Sequence, residues 1–433
     1  MEEKWKHVVV LGAAGKMGKG IALLLLQEIA LMPGSVLTLL DANSRGFEGL
    51  KKYLREHLLK YAERNINRLR KYYQERVDLI DNGDMINAFL EEGLDRTSFA
   101  VGIEECRGAT MIFEAILEDV DIKASVFLQI NKIADSAAVY FTNTSSIPIH
   151  ILQEKAHLAG RLIGFHFYNP PAVQKLLEII IPKGVKEDVF ELALEVGKRL
   201  NKIIVISEDT AGFIGNGHFI REVNEACDKV EELQEKMSLP EAVCLVNSIT
   251  ENYLIRPMGL FQLIDYVGID VVQHIAKVMT HYLKNENFNH SLIDVMVQAG
   301  VKGGQNGAGM QEAGFFSYEQ GKPVKVYDIK NSQYVPLFEK NHAFPQEHQM
   351  WKALSKDLDK DPKIIAYFVN LLNDQSFDSK IAVEFLEKSR SIAHGLVKDK
   401  VAGTIQDVDM VLKNGFFHLY DVDMPWVEQE VVK

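Results

Sequence analysis

Val8-Val9-Val10-Leu11-Gly12-Ala13-Ala14-Gly15-Lys16-Met17-Gly18 is the stretch on which the fold turns. Four consecutive apolar residues read as a short strand buried on both faces, the pattern of a parallel sheet. Glycines follow at once, and an apolar helix pattern then runs from Lys19 to about Met32. Strand, glycine turn and helix form the context that a dinucleotide fingerprint requires. Gly12, Gly15 and Gly18, with Met17 among them, permit a tight turn and let backbone N–H groups approach a pyrophosphate at the helix N-terminus. A second strand, Val36-Leu37-Thr38-Leu39-Leu40, ends at Asp41, 23 residues beyond Gly18. An acid there accepts from ribose hydroxyls and repels a 2′-phosphate, so NAD is the expected cofactor.

Further apolar strands end on polar residues. Met111-Ile112-Phe113 leads to Glu114 and Glu118; Val139-Tyr140-Phe141 leads to Asn143 and Ser145; Leu162-Ile163-Gly164-Phe165 leads to His166. Asp41, Glu118, Ser145 and His166 thus fall just past C-terminal strand ends, the edge at which open parallel sheets bind ligands. Ser145 also suits a helix N-cap before Ile147-Pro148. Twelve residues after His166, Glu178 stands alone in Leu176-Leu177-Glu178-Ile179-Ile180-Ile181. A carboxylate among branched apolar residues is costly unless paired. A histidine held by a carboxylate is oriented as a general base. The plain alternative puts Glu178 on an edge strand, facing water.

The chain has 433 residues and a formal charge of −12, which argues against general nucleic-acid binding. Cys106, Cys227 and Cys244 are odd in number and far apart, so no structural zinc and a reducing compartment are expected. No cleavable leader is read at Met1-Glu2-Glu3-Lys4-Trp5-Lys6. The longest apolar run, Ile21 to Met32, is short of the roughly 20 residues that cross a bilayer. A cytoplasmic protein without a membrane span is the expectation. A helical insertion is read at about 47–89. Within 51–76, nine basic residues, Lys51, Lys52 and Arg55 among them, face three acids. Such an excess suits a ligand with several phosphates, although i,i+4 pairs such as Lys52–Glu56 also fit a merely solvated helix.

These blocks together resemble the 3-hydroxyacyl-CoA dehydrogenases. Asn143-Thr144-Ser145-Ser146, His166-Phe167-Tyr168-Asn169-Pro170, Lys175-Leu176-Leu177-Glu178, Asp209-Thr210-Ala211-Gly212-Phe213-Ile214 and Arg256-Pro257-Met258-Gly259 follow that family's order over about 7–330. The resemblance implies NAD-dependent oxidation of an L-3-hydroxyacyl-CoA. His166 would be the base and Glu178 would polarise it. Ser145 and Asn216 would hydrogen-bond the substrate, Asn169 would fix the histidine loop, and Glu118 would lie near the nicotinamide. Asn143 is expected on the cofactor side; Ser145, Asn169, Lys51, Lys52 and Arg55 on the substrate side. The chain departs from the family in a longer glycine loop and in Gly215 and Gly217, which flank Asn216 and weaken a helix start. Two rival readings are a related β-hydroxyacid dehydrogenase with a non-CoA substrate and a catalytically inactive acyl-CoA or nucleotide binder.

After Ile203-Ile204-Val205-Ile206 the pattern turns helical. The fold class expected is α/β: a Rossmann-type, mostly parallel sheet with a helical insertion, then all-α C-terminal domains. Boundaries are placed at 1–207, 208–330 and 331–433. Val401 to Leu412 faintly echoes the helix at Pro240–Val246, so 331–433 is expected to be a degenerate copy that packs like a dimer partner. That predicts a monomer with an internal pseudo-dimer, a homodimer being the alternative. No crotonase-like segment is read, so hydration would need another protein; a separate hydratase and thiolase are the expected partners.

Overall fold

The computed structural model describes residues 2–306, 309–338 and 343–426. The chain divides into two compact units, Met1–Asp209 and Thr210–Lys433.

The first unit is built on eight strands: β1 (His7–Leu11), β2 (Val36–Leu40), β3 (Thr97–Ala100), β4 (Met111–Glu114), β5 (Val139–Thr142), β6 (Leu162–Phe167), β7 (Leu176–Ile181) and β8 (Ile203–Glu208). Their spatial order is β3-β2-β1-β4-β5-β6-β7-β8. The first six are parallel; β7 runs antiparallel to β6 and parallel to β8. The 3-2-1-4-5-6 run is the doubly wound arrangement. Helices α1 (Gly18–Ile29), α2 (Phe47–Arg64), α3 (Ile66–Tyr72), α4 (Asn82–Asp95), α5 (Val120–Ile130), α6 (Ile149–Lys155) and α7 (Glu187–Arg199) connect them.

The glycine turn sets how closely α1 approaches β1. Gly12 has φ +73°, and a Cβ there would meet the Ala115 carbonyl oxygen at 2.5 Å. A Cβ on Gly18 would lie 2.0 Å from the Gly12 carbonyl oxygen. Neither position admits a side chain while the backbone stays in place.

The helical insertion comprises α2, α3 and α4. α2 buries Leu50, Leu54, Leu58 and Ala62, an i,i+4 stripe on a charged helix. Asp81 and Asp84 form a capping box at the start of α4. The insertion returns to the sheet through β3, an edge strand absent from the sequence reading. Its residues, Thr97-Ser98-Phe99-Ala100, are too polar and too few to announce a strand, yet they pair in register with β2.

The second unit contains α8 (Gly215–Leu233), α9 (Leu239–Ser248), α10 (Leu260–Val267), α11 (Ile269–Tyr282), α12 (Ser291–Gln298), α13 (Trp351–Leu354), α14 (Lys360–Asn373), α15 (Phe377–Lys398) and α16 (Ile405–Gly415). A single π-type turn, Ile249–Tyr253, continues α9. The unit is mainly helical, as expected, but not purely so. A three-stranded antiparallel sheet is formed by β9 (Phe316–Glu319), β10 (Lys322–Asp328) and β11 (Gln333–Pro336). Gln320 and Gly321, both at positive φ, turn the first hairpin. Aromatic and β-branched residues on alternate positions supply its strand character. Residues 343–426 belong to this same unit.

α15 runs antiparallel along α8. Lys388 pairs with Glu225 at 2.9 Å and Lys229 with Glu384 at 2.7 Å. Gly217 belongs to this seam: a Cβ there would meet Leu396 Cδ2 at 3.2 Å. Its small size lets α15 approach the first turn of α8. Beneath lies a buried polar cluster. Arg256 holds Glu222 through two bonds of 3.0 and 2.7 Å, and His218 Nε2 lies 3.2 Å from the Ser389 carbonyl. Burial works against the Glu222 carboxylate, but Arg256 outweighs it and holds the group down at about 2.

Candidate active site

The histidine and the acid meet because the strands carrying them are neighbours. β6 and β7 pair antiparallel, with His166 directly opposite Glu178. Directly opposed side chains share one face of the sheet, with Cβ atoms about 5 Å apart. His166 Nδ1 lies 2.9 Å from Glu178 Oε2. Glu178 is wholly buried and His166 is 8 % exposed. The solvent-facing edge strand of the plain alternative is thereby excluded: β7 lies inside the sheet and its acid faces the imidazole. Tyr168 completes the group, its hydroxyl donating to the same Glu178 oxygen at 2.9 Å.

A second network ties the strand ends together. Asn143, just after β5, accepts the Phe167 N–H at 2.9 Å and so anchors the end of β6. Glu118 Oε1 accepts from the Thr144 hydroxyl at 2.6 Å and from the Ser145 N–H at 3.0 Å. Glu118 Oε2 lies 3.2 Å from Lys123 Nζ, which also donates to the buried Glu114. Burial opposes the Glu118 charge, yet Lys123 and the Thr144 hydroxyl outweigh it, and the carboxyl stays below its usual range. Burial likewise opposes the Lys123 charge, and Glu114 with Glu118 more than compensates. Lys123 is a site residue that the sequence reading missed, because a lysine in the first turn of an amphipathic helix normally faces water.

At the other end of the edge, Asp41 Oδ2 accepts the Ala14 N–H at 3.0 Å and Oδ1 the Asn43 N–H at 3.2 Å. Asp41 is therefore braced against the glycine loop itself. A dinucleotide suits this arrangement: bare backbone at Gly12 and Gly18, a helix N-terminus beyond it, and a carboxylate at the end of the adjacent strand. Lys202, also missed, clamps the β6–β7 hairpin by donating to the Pro171 and Gln174 carbonyls at 2.5 and 2.6 Å. Burial, helped by the Lys175 charge, brings its ammonium down to about 8.

Lys51 and Lys52 sit on α2, paired with Glu48 at 2.9 Å and Glu56 at 3.9 Å. Lys51 also stands over the Phe99 ring. Arg68 is structural, held by the buried Glu28 through two 2.9 Å bonds. Arg55 is an exposed residue of the same helix. Asn216 lies in the first turn of α8, in the second unit. Among the described residues one group, Asp228, Glu231 and His290, has metal-ligand spacing. His290 Nδ1 accepts the Leu292 N–H at 3.1 Å, so the ring proton sits on Nε2, the atom facing the acids. In that tautomer His290 turns an N–H, not a lone pair, toward Asp228 and Glu231.

Comparison with known proteins decides the family. The NAD-binding domain of 3-hydroxyacyl-CoA dehydrogenase matches residues 7–210, and the C-terminal domain of the same family matches 212–313. The chain belongs to the 3-hydroxyacyl-CoA dehydrogenase family. It is an enzyme family of NAD-dependent oxidoreductases, and NAD is the cofactor. A probable 3-hydroxybutyryl-CoA dehydrogenase of Bacillus subtilis is 28% identical over 316 residues, 73% of this chain and 98% of that protein. The human mitochondrial hydroxyacyl-coenzyme A dehydrogenase is 29% identical over 272 residues, 63% of this chain and 79% of that protein. In fold, the 3-hydroxybutyryl-CoA dehydrogenase of Escherichia coli K12 superposes with a TM-score of 0.64 at 19% identity, covering 98% of this chain and 91% of that one. No helix of the described residues is long and apolar enough to cross a membrane.

Proposed function

We propose that this chain oxidises an L-3-hydroxyacyl-CoA to the 3-ketoacyl-CoA, and runs the reverse reaction, with His166 and Glu178 as the general-base pair. The observation that carries the proposal is the buried 2.9 Å contact between His166 Nδ1 and Glu178 Oε2. A proton on Nδ1 directed at the carboxylate puts the ring's lone pair on Nε2, the atom assigned to take the proton of the 3-hydroxyl. The buried charge of Glu178 then stabilises the imidazolium that forms. NAD, when bound, would accept the hydride that leaves C3 of the substrate. Ser145 is assigned to hold the substrate oxygen, its backbone fixed by Glu118, and Asn216 and Asn169 are carried over from the family resemblance as further substrate contacts. Gly12, Gly15, Met17, Gly18, Asp41, Glu118 and Asn143 are assigned to the cofactor, and Lys51, Lys52 and Arg55 to the phosphates of CoA.

The assay is oxidation of NADH by acetoacetyl-CoA, followed by absorbance. Turnover that needs the CoA thioester supports the proposal. Turnover of free 3-keto acids alone favours a related hydroxyacid dehydrogenase, and none with either substrate favours an inactive binder. Charge reversal at Lys51, Lys52 and Arg55 tests the phosphate contacts through KM for the thioester.

We further propose that the helical part of 331–433, described over 343–426, is a degenerate copy of the α8–α9 region. Two observations support it. α15 lies along α8, and each long helix is followed by a helix with a capping box, Ser238 with Glu241 and Thr404 with Asp407. A monomer in sedimentation agrees with the copy acting as an internal partner; a dimer built on 206–330 overturns it. The substrate requires an enoyl-thioester hydration upstream and the product a thiolytic cleavage downstream, both assigned to other proteins.

A further inference from the structure

Glu178 Oε2 receives two donors, His166 Nδ1 and the Tyr168 hydroxyl, each at 2.9 Å. The carboxylate has two oxygens and room for about four bonds, and these two donors converge on the same oxygen. The Tyr168 ring also lies against the imidazole, with centroids 5.0 Å apart and planes inclined by 41°. Resting on the base-pair reading above, we propose that Tyr168 is a positioning residue that sets how strongly Glu178 draws a proton onto His166.

The argument follows from charge. A hydrogen bond to a carboxylate oxygen spreads part of its negative charge onto the donor. The oxygen that stabilises the imidazolium is therefore partly quenched by the phenol, and it favours the protonated ring less than an unshared carboxylate would. Burial, and then the Glu178 charge, raise the phenol well above its ordinary range, so it donates at every working pH. The ring contact meanwhile limits rotation of the imidazole away from Glu178. The β6–β7 register places residues 166 and 178 opposite each other, and Tyr168 reaches the same acid from just beyond the end of β6.

Tyr168→Phe keeps the ring and removes the hydroxyl. The measurement is the pH profile of kcat/KM for 3-hydroxybutyryl-CoA oxidation by NAD, whose acid limb reports protonation of the base in the free enzyme. The expected result is an acid limb moved up by about half to one pH unit, with NADH affinity unchanged. A merely structural hydroxyl would lower the rate and leave the limb where it was, and a stationary or lowered limb overturns the proposal. Should the phenylalanine variant fold poorly, 3-fluorotyrosine at position 168 is a stronger donor of nearly the same size and must move the limb down; no movement overturns the proposal equally. His166→Gln, measured in parallel, separates the two readings. If it retains activity within tenfold of wild type, the base assignment falls. If it is inactive while the Tyr168→Phe limb stays put, only the Tyr168 inference falls.

Discussion

Replacing Gly18 by alanine puts one methyl group where the structure has no room. The added Cβ would stand 2.0 Å from the Gly12 carbonyl oxygen, 2.7 Å from its carbon and 2.9 Å from Ala13 Cα. Ordinary contact begins near 3.4 Å, so the loop must open by more than an ångström. All three obstacles are backbone, and Gly12 cannot retreat freely. Its N–H is bonded to Leu40 O at 2.9 Å, and its α-carbon already lies against the Ala115 carbonyl. Overpacking a rigid site costs about 1–3 kcal/mol. With the nucleotide absent the loop can shift outward and shed part of that strain; with it bound the backbone must return. About 2 kcal/mol should therefore fall on binding, which is roughly 30-fold in Kd. The assay is fluorescence titration with NADH, accompanied by thermal unfolding. Gly49→Ala is the control, since nothing lies within 4 Å of its would-be Cβ on α2. It should leave affinity alone and stabilise the helix by about 0.5–1 kcal/mol. If Gly18→Ala binds NADH within threefold of wild type and unfolds at the same temperature, the turn is not the pyrophosphate cradle.

Further outcomes are expected. Glu178→Gln removes the charge behind His166; losing a charge-assisted bond of about 2–3 kcal/mol should lower kcat/KM roughly 30- to 150-fold, and steady-state kinetics showing less than a threefold loss would contradict the pair. Glu251, in the π-type turn after α9, is pushed up to about 7 by burial, so the folded protein holds its proton between about 4.5 and 7 where the unfolded chain does not. Stability from this group is complete below that window and is lost as pH rises through it; the side chain is partly exposed, so the effect should be about 1–2 kcal/mol, and Glu251→Gln should flatten the denaturant-midpoint profile over that range. Arg256→Met leaves the buried Glu222 with only the longer His218 Nδ1 contact of 3.9 Å, at a cost of about 3–5 kcal/mol in urea unfolding, and adding Glu222→Leu should recover most of it.

The parts of the fold legible in the sequence are those set by local pattern. Val8 to Gly18 announced strand, turn and helix because each element carries its own periodicity. β3 stayed hidden because an edge strand needs only its backbone, and Thr97-Ser98-Phe99-Ala100 shows no alternation. The small sheet at 316–336 escaped because its strands are short and its turn residues, Gln320 and Gly321, are only half of the usual signal. At the site, the pairing of His166 with Glu178 could be guessed from the cost of burying an acid. Tyr168, Lys123 and Lys202 could not, since their importance lies in which atoms they meet across space. The basic excess on the insertion looked like a single feature in the sequence. The structure breaks it up, giving Arg68 to Glu28 and leaving Lys51 and Lys52 beside their own helical acids.

The reversal of β7 has a consequence for how this chemistry tolerates change. The imidazole and its acid are aligned by a ladder of backbone bonds, not by the length of chain that joins them. The tip of the hairpin, between Pro171 and Gln174, can therefore gain residues without parting the two groups. A slip of the ladder by a single step would turn the acid to the opposite face and disconnect them at once. Insertions at the tip should thus be survivable, while a bulge within either strand should be fatal to turnover even in a protein that still folds.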